Sequence, residues 1–297
     1  MFILPLLEEH LHHLFITYAM EKIGLIIFSI FFFGELNAQK KEAVTLSSEQ
    51  ITQIKAKSTE LYRDLDRVTP GKEGAPPSDA IVLFDGSSLD PWQKPFFEYG
   101  ESMAEYAERL PALKGGPYIT RPADWKLEKG ALVVVPGTGH LVTKEIFGDV
   151  QLHIEWLTPK NTTKRGQDYS NSGLFFMGLY EIQILNSYDN ETYSNGQAGA
   201  IYKQHIPLVN ATQPPDNWQE YDIIFSAPKF SESGNILNPA RLTVFHNGVL
   251  IQNNVSLLGP TCYIGQAYYI KHPEELPILL QDHGNPVRFR NIWARKL

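Results

Sequence analysis

A series of short runs rich in β-branched and aromatic residues fills the chain from residue 80 to its end. The runs cover residues 81–84, 131–135, 150–156, 173–177, 180–185, 221–225, 240–246, 249–252, 278–280 and 287–295. Turn residues separate the runs, and Asn247-Gly248 between two alternating runs is the strongest hairpin signal in the chain. Many short strands with few helical segments among them predict an all-β protein, built as a sandwich or jelly roll.

A helix and a linker are predicted before this region. Apolar residues recur at helical spacing over residues 48–68, and Ser48 is the expected capping residue. The following segment, TPGKEGAPP at residues 69–77, contains too much proline and glycine for regular structure. We therefore divide the chain into a helix with its linker at 39–79 and a β domain at 80–297. Within the domain, residues 101–110 predict a small inserted helix.

The apolar segment at residues 23–33 has the features of a secretory signal. It is too short to span a bilayer as a helix, and it lies between the basic residue Lys22 and the small residue Ala38. We predict that residues 1–38 are a signal peptide, that translation starts at Met20, and that cleavage follows Ala38. The mature protein is then secreted or periplasmic.

Cysteine content and net charge limit how the fold can be stabilised and which ligands the protein can bind. Cys262 is the lone cysteine, so an exported chain could form no internal disulfide and would depend on its hydrophobic core. The net charge of −7 does not suit nucleic acid, because phosphate contacts need basic surfaces. No further apolar run is long enough to predict a membrane span in the mature protein.

Alternation along the strands predicts which side chains face away from the core. On the run at 150–156 the outward set is Gln151, His153 and Glu155, and on the run at 180–185 it is Glu181 and Gln183. We place both sets on one outer face, as a trough open to solvent. Amides and carboxylates can bind paired sugar hydroxyls while aromatic faces cover the ring, so a carbohydrate is the expected ligand. Ordinary solvated sheet positions would show the same alternation.

Several ordered motifs then resemble those of a known family. They are LFDGSSLDPW at 83–92, NSGLF at 171–175, YEIQIL at 180–185, GAIY at 199–202, WQEYD at 218–222, HNGV at 246–249 and LQDHGNPVRFRNI at 280–292. In this order they are similar to the 3-keto-disaccharide hydrolase domain family. The resemblance implies a concanavalin-like jelly-roll sandwich, similar to that of family-sixteen glucan hydrolases, whose carboxylates project from one strand of the concave sheet. Glu181 occupies such a position, but Gln183 stands where a second acid is expected.

The family name implies an elimination rather than a double displacement. A ketone at C3 acidifies the proton on C2, so a base can start the expulsion of the group on C1, and water then adds back. We assign the base to Glu181 or His283 and the stabilisation of the enolate to Arg290 and Lys144. The expected substrate-binding residues are Gln183, Gln281, Glu155, Asn171, Tyr202 and Trp218. A partner sugar oxidoreductase could supply the keto sugar.

Alternatives remain open at this stage. The same face would suit a non-catalytic carbohydrate-binding module, whereas a conventional glycosidase is disfavoured because Gln183 is an amide. His283 could instead cap its Gly-Asn-Pro turn, and His153 and His246 are predicted to be surface residues. No cofactor or catalytic metal is expected, although the loop at 189–191 is a candidate for a structural calcium ion.

The export prediction can be checked directly. Because signal peptidase cuts after a small residue that follows the apolar segment, N-terminal sequencing of the secreted protein should begin at Gln39. A mature start far from Gln39 would contradict the predicted cleavage.

Overall fold

The computed structural model describes residues 45–72, 74–95, 121–160 and 163–297. The predicted signal peptide and the inserted helix at 101–110 lie outside the described residues. The chain forms two compact units, Met1–Leu65 and Asp66–Leu297. Within the described ranges, no helix has the length and apolar character needed to cross a membrane.

The first unit contains helix α1, Ser48–Lys57, which is shorter than the predicted helix. Its cap is Ser47 rather than Ser48, and Ser47 forms a capping box with Gln50. The hydroxyls of Ser58 and Thr59 donate hydrogen bonds to backbone carbonyls of the last turn. Side chains that bind the backbone in this way compete with helix continuation, and Leu61 is 95% exposed, so no packing opposes them.

The second unit is built from antiparallel strands. In chain order they are β1 Ile81–Phe84, β2 Trp92–Lys94, β3 Arg121–Pro122, β4 Lys126–Glu128, β5 Ala131–Val133, β6 Leu141–Phe147, β7 Val150–Leu157, β8 Ser172–Phe176, β9 Tyr180–Ile184, β10 Trp218–Ser226, β11 Lys229–Phe230, β12 Ile236–Asn238, β13 Arg241–His246, β14 Val249–Ser256, β15 Leu276–Leu280 and β16 Arg288–Lys296. Each run predicted from the sequence overlaps one of these strands.

Two large sheets result from the pairing. An eight-stranded sheet has the order β14-β13-β10-β7-β16-β5-β4, with β1 paired to β16. A six-stranded sheet has the order β3-β2-β6-β15-β8-β9, and β11 and β12 form a separate ribbon. The all-β sandwich with a short N-terminal helix confirms the predicted fold class.

The inward faces of both sheets meet in one hydrophobic core. Leu152 and Trp156 on β7 and Ile182 and Ile184 on β9 are fully buried members of the same cluster. Apolar side chains at every second position therefore face the other sheet, as the alternation predicted.

The shared core separates the two polar sets that the sequence suggested would converge. Glu181 and Gln183 lie on β9 of the six-stranded sheet, whereas His153 and Glu155 lie on β7 of the eight-stranded sheet. Because both sheets turn their apolar faces to the same core, their outer faces point away from each other. The prediction of one common outer face was wrong, since alternation shows which residues face outward but not which sheet carries them.

The predicted linker contacts the outer face of the eight-stranded sheet. We call residues 69–79 the strap. The carbonyl of Gly74 accepts hydrogen bonds from Asn291 Nδ2 and Trp293 Nε1, both at 2.9 Å. Asp79 forms an ion pair with Arg295 at 2.6 Å. Gly74 has φ of +78°, a conformation that suits glycine, so the strap is fixed through its backbone.

Substitution of two neighbouring isoleucines tests which face of β10 packs in the core. Ile223 is 1% exposed and faces the core, whereas Ile224 is 46% exposed on the outer face. We expect Ile223→Ala to lower the free energy of unfolding by about 2–5 kcal/mol, because it leaves a cavity. Ile224→Ala should change it by about 0.5 kcal/mol or less. Chemical denaturation of both variants measures this, and equal losses would contradict the assigned faces.

Candidate active site on the six-stranded sheet

The candidate site lies on the outer face of the six-stranded sheet, where β9 forms the edge. Pairing of β8 with β9 places Phe175 opposite Glu181 and Gly173 opposite Gln183. On the other side of β8, the backbone N–H of Gln281 donates to the carbonyl of Gly173 at 2.9 Å. These residues therefore share one face, with a carboxyl, two amides and an aromatic ring close together.

Gly173 makes room for this arrangement. A Cβ atom at this position would lie 2.7 Å from Glu181 Oε1, 2.6 Å from Phe175 Cε2 and 3.3 Å from Gln281 Oε1. Such distances are too short for carbon, so a side chain at 173 would displace the carboxyl or the ring. The absence of that side chain allows Glu181, Phe175 and Gln281 to converge above β8.

Glu181 is a buried acid. Its side chain is 5% exposed, and burial raises its pKa to about 8. No charged side chain among the described residues contributes to this shift. A carboxyl with a pKa near neutrality can both accept and donate a proton under physiological conditions, which is the property of a general acid or base.

Tyrosines and a lysine form the rim beside Glu181. The hydroxyls of Tyr193 and Tyr202 lie 2.7 Å apart. Burial, the hydrogen bond with Tyr193 and the negative charge of Glu181 raise the pKa of Tyr202, so Tyr202 lies within electrostatic reach of the carboxyl. Lys203 Nζ lies 4.1 Å from the Tyr263 ring centre and donates to the Tyr263 carbonyl at 2.6 Å. Sequence reasoning found Tyr202 but missed the other three, because they lie in irregular loops where alternation gives no signal.

His283 lies at the end of β15 rather than beside Glu181. Asp282 accepts hydrogen bonds from the backbone N–H groups of Gly137 and Gly139, and its own N–H donates to His140 Nδ1. Burial lowers the pKa of His140, the charge of Asp282 opposes this shift, and the neighbouring His283 adds to it. Strand β15 is two strand spacings from β9, about 10 Å across the sheet.

The backbone of His283 also takes part in its turn. Its carbonyl accepts a hydrogen bond from Asn285 Nδ2 at 3.0 Å, so residue 283 supports the turn through its backbone and leaves its imidazole outside that bond.

Two further predicted residues lie away from the carboxyl. Lys144 is on β6, three strand spacings from β9, or about 14 Å. It lines a cavity of about 290 Å³ with Trp92 and Gln93. Asn171 is buried, and its Nδ2 donates to the carbonyl of Gln167 at 2.7 Å, so it orders the loop that carries Gln167.

Arg290, Glu155 and Trp218 belong to the opposite sheet. Arg290 Nε donates to Glu155 Oε2 at 2.6 Å, and its guanidinium carbon lies 4.0 Å from the centre of the Trp218 ring. Arg290 therefore does not share a site with Glu181, and the predicted common trough is corrected on this point. The three residues form a network with His153 on the outer face of the eight-stranded sheet.

The histidines predicted to lie at the surface are buried. His246 is 1% exposed, and burial lowers its pKa to about 3. His153 is 2% exposed, and its Nδ1 lies 2.7 Å from Asp222 Oδ1. Burial alone would lower the pKa of His153, but hydrogen bonds to Asp222 and Glu155 raise it to about 9.

The same network shifts the pKa of Glu155 in the opposite direction to that of His153. Burial alone would raise its pKa, but hydrogen bonds from His153, Asn291 and Arg290 lower it to about 2. Both groups are therefore charged at neutral pH. The network neutralises itself and anchors the strap through Asn291.

Asn190, the central residue of the candidate calcium loop, forms hydrogen bonds that order the loop. Asn190 Oδ1 accepts from the Gly166 N–H, and Asn190 Nδ2 donates to the carbonyls of Gly166 and Asn186. Over the described ranges, no group of three or more His, Cys, Asp or Glu side chains has a metal-binding arrangement. A structural calcium ion at residues 189–191 stays a prediction.

The pKa of His153 gives a test of the network. The folded pKa of about 9 exceeds the ordinary value of 6.5, so the stabilisation is complete below pH 6.5 and is lost as the pH rises through 9. We expect the difference in unfolding free energy between the wild type and His153→Gln to shrink by about 2 kcal/mol over this range, allowing for the half-exposed Asp222. Denaturation at both pH values measures it, and a constant difference would contradict the network.

Comparison with known proteins agrees with this architecture. The family model described as a 3-keto-alpha-glucoside-1,2-lyase-like domain matches residues 79–295. A solved structure of a provisionally assigned glycosyl hydrolase from Parabacteroides distasonis is 41% identical with a TM-score of 0.70, and the match covers 81% of this chain and 96% of that one. A second provisionally assigned glycosyl hydrolase from the same organism is 15% identical with a TM-score of 0.49, covering 74% and 94%. The comparison with curated proteins gave no match.

The family match spans most of the chain and includes both large sheets as well as the Glu181 site. The motifs in the sequence predicted the same family. The chain belongs to the 3-keto-alpha-glucoside-1,2-lyase-like domain family.

Proposed function

We propose that this chain is an exported enzyme that cleaves 3-keto-glycosides by elimination and hydration, with Glu181 as the proton-transfer residue. The family and the 41% identical glycosyl hydrolase-like structure support a carbohydrate-active protein. The observation that carries the proposal is the buried carboxyl of Glu181, whose pKa is raised to about 8 by burial.

A conventional double displacement does not fit this site. A retaining glycosidase needs a nucleophile and an acid whose carboxyl groups lie about 5 Å apart. The neighbouring outward position on β9 is Gln183, whose amide can perform neither role. Among the described residues, no other carboxylate contributes to the pKa shift of Glu181. The site therefore offers one proton-transfer carboxyl rather than two.

Elimination requires only one proton-transfer carboxyl. The base takes the proton from C2, and the electron pair of that C–H bond delocalises into the C3 ketone as an enolate. The enolate then forms a C1–C2 double bond as the C1–O bond breaks, and the departing oxygen takes up a proton. The proton taken from C2 is given to the leaving group, so the carboxyl ends the step in the protonation state in which it began. One carboxyl with a pKa near neutrality can therefore accept the proton and return it. Water then adds a hydroxyl at C1 and a proton at C2.

The groups around Glu181 supply the other requirements. An enolate needs a cation or hydrogen-bond donors nearby, and the rim provides Lys203 and the Tyr193–Tyr202 hydroxyl pair. We assign this role to the rim in place of Arg290 and Lys144, which lie on the other sheet and three strands away. Gln281 Oε1 has no hydrogen-bond partner among the residues that the structure describes, and it lies close to the Gly173 position, where it can accept a hydrogen bond from a sugar hydroxyl.

His283 stays the proposed alternative to Glu181 as the base. Its place beside His140 at the end of β15 puts it on the same sheet as Glu181. The proposed route also needs a ketone at C3 that none of its steps creates. A sugar oxidoreductase is therefore the expected source of the substrate, and the predicted signal peptide supports export.

The aromatic rim also favours a second candidate function. Three tyrosine rings around Lys203, those of Tyr193, Tyr202 and Tyr263, could hold a sugar without any reaction. Saturable binding of a 3-keto-glycoside without release of the leaving group would identify a carbohydrate-binding module instead.

Replacement of the carboxyl tests the enzymatic proposal. We expect Glu181→Gln to lower kcat/KM on a 3-keto-glycoside by about 10²–10⁴-fold, because the base is lost. For the wild type, kcat/KM should rise as the pH increases through about 8, since the ionised carboxyl starts the reaction. Release of the leaving group measures both.

The control for this experiment is Glu155→Gln. Glu155 lies on the opposite sheet, so this variant should retain most of the activity. Full activity of Glu181→Gln, or equal losses in the two variants, would contradict the proposal.

A further inference from the structure

A chain of side-chain amides leads from Glu181 to the backbone of a neighbouring loop. One amide atom of Gln183 lies 3.2 Å from Glu181 Oε1, and the other lies 3.1 Å from Gln167 Oε1. Gln167 Nε2 in turn donates to the Gly196 carbonyl at 2.9 Å and to Thr192 Oγ1 at 3.0 Å. Gln183 is 1% exposed, so water does not compete for its amide.

The hydrogen bond from Gln167 Nε2 to the Gly196 carbonyl fixes the direction of the chain. Rotation of the Gln167 amide would point its oxygen at the Gly196 carbonyl and lose that bond, whereas the Thr192 hydroxyl can donate to the oxygen instead. Gln167 Oε1 therefore faces Gln183 and requires a donor. The Nε2 group of Gln183 is that donor, at 3.1 Å.

This direction leaves Gln183 Oε1 facing Glu181. In that orientation Gln183 Oε1 lies 3.2 Å from Glu181 Oε1 and also 3.2 Å from the Ser172 carbonyl oxygen. The contact with Glu181 is favourable only when the carboxyl carries a proton and donates it to the amide. If the Gln183 amide rotates, its Nε2 can donate to Glu181 Oε1 and to the Ser172 carbonyl, each at 3.2 Å. Gln183 Oε1 then faces Gln167 Oε1 at 3.1 Å, and the bond to Gln167 is lost.

We propose that Gln167 and Gln183 are positioning residues that hold a hydrogen-bond acceptor against the protonated Glu181 carboxyl. Gln167 fixes the orientation of the Gln183 amide, and Gln183 places its oxygen against the Glu181 carboxyl. The pair stabilises the state that Glu181 reaches after it has taken the proton from C2, and it thereby strengthens the base. This role rests on the proposed function, but the proton affinity of Glu181 can be measured without any substrate.

The surroundings of Glu181 are consistent with control by these amides. From β8, the carboxyl faces Phe175 and the bare Gly173 backbone, and from the end of β15 it faces the uncharged Gln281. Tyr202 is the titratable group that interacts with it electrostatically, and Lys203 follows on the same segment. The Thr261 hydroxyl binds the Glu181 backbone N–H at 2.9 Å and not the carboxyl. Hydrogen-bond direction is therefore a strong local influence on the proton.

Substitution of Gln167 by methionine tests the proposal. Gln167→Met keeps the length of the side chain but removes the oxygen that fixes Gln183. The Gln183 amide can then rotate and donate to the ionised carboxyl, which should lower the pKa of Glu181 by about one unit. Infrared titration of the carboxyl C=O stretch, assigned by subtraction of the Glu181→Gln spectrum, measures the pKa in the substrate-free protein. The rise of kcat/KM with pH should move to lower pH by the same amount.

Gln197→Met is the matched control. Gln197 Nε2 donates to the Asn190 carbonyl at 3.1 Å, so this variant makes the same chemical change at a site outside the amide chain. It should leave the Glu181 titration unchanged. Equal titrations in the wild type and Gln167→Met, or equal shifts in both variants, would overturn the proposal.

The wild-type spectrum gives a reading that does not depend on the folding of a variant. A protonated Glu181 that donates to Gln183 should show the lowered C=O frequency of a hydrogen-bonded acid, whereas the frequency of an unbonded acid would overturn the proposal. Failure of the proposed function would appear separately, as a correct titration together with no cleavage of 3-keto-glycosides.

Discussion

The packing of two sheets around one core is the constraint on which the rest of this structure depends. Each strand gives alternate side chains to that core, so each sheet keeps one face for polar groups. The two polar faces point in opposite directions and cannot cooperate. The protein must therefore place its whole site on one sheet, and the other sheet can use its polar residues for stability.

The pKa of a carboxyl is shifted in opposite directions on the two faces. On the eight-stranded sheet, Glu155 receives hydrogen bonds from Asn291 and Arg290 and lies 3.9 Å from His153, and its pKa falls to about 2. On the six-stranded sheet, no charged side chain among the described residues shifts the pKa of Glu181, and burial raises it to about 8. Similar carboxyls thus become a permanent anion that anchors the strap and a group that can exchange protons near neutral pH. The surroundings of each carboxyl decide whether it can take part in proton transfer.

Much of the fold could be predicted because it follows from local rules. Alternation correctly placed Leu152 and Ile182 in the core, and the ordered motifs predicted the family. Alternation could not show that β7 and β9 belong to different sheets, because that depends on long-range pairing. It therefore placed Glu155 and Arg290 beside Glu181. Lys203 and the strap were missed for a related reason, since irregular segments have no period from which a direction can be read.

The central claim is that the sugar reacts at Glu181 on the six-stranded sheet. A crystal structure of Glu181→Gln with a bound 3-keto-glycoside tests it most directly. We expect C2 of the keto sugar to lie about 3–3.5 Å from the side chain at position 181, with Tyr202 and Gln281 in contact with the ring. A sugar bound instead on the outer face of the eight-stranded sheet, beside Arg290 and Trp218, would contradict it.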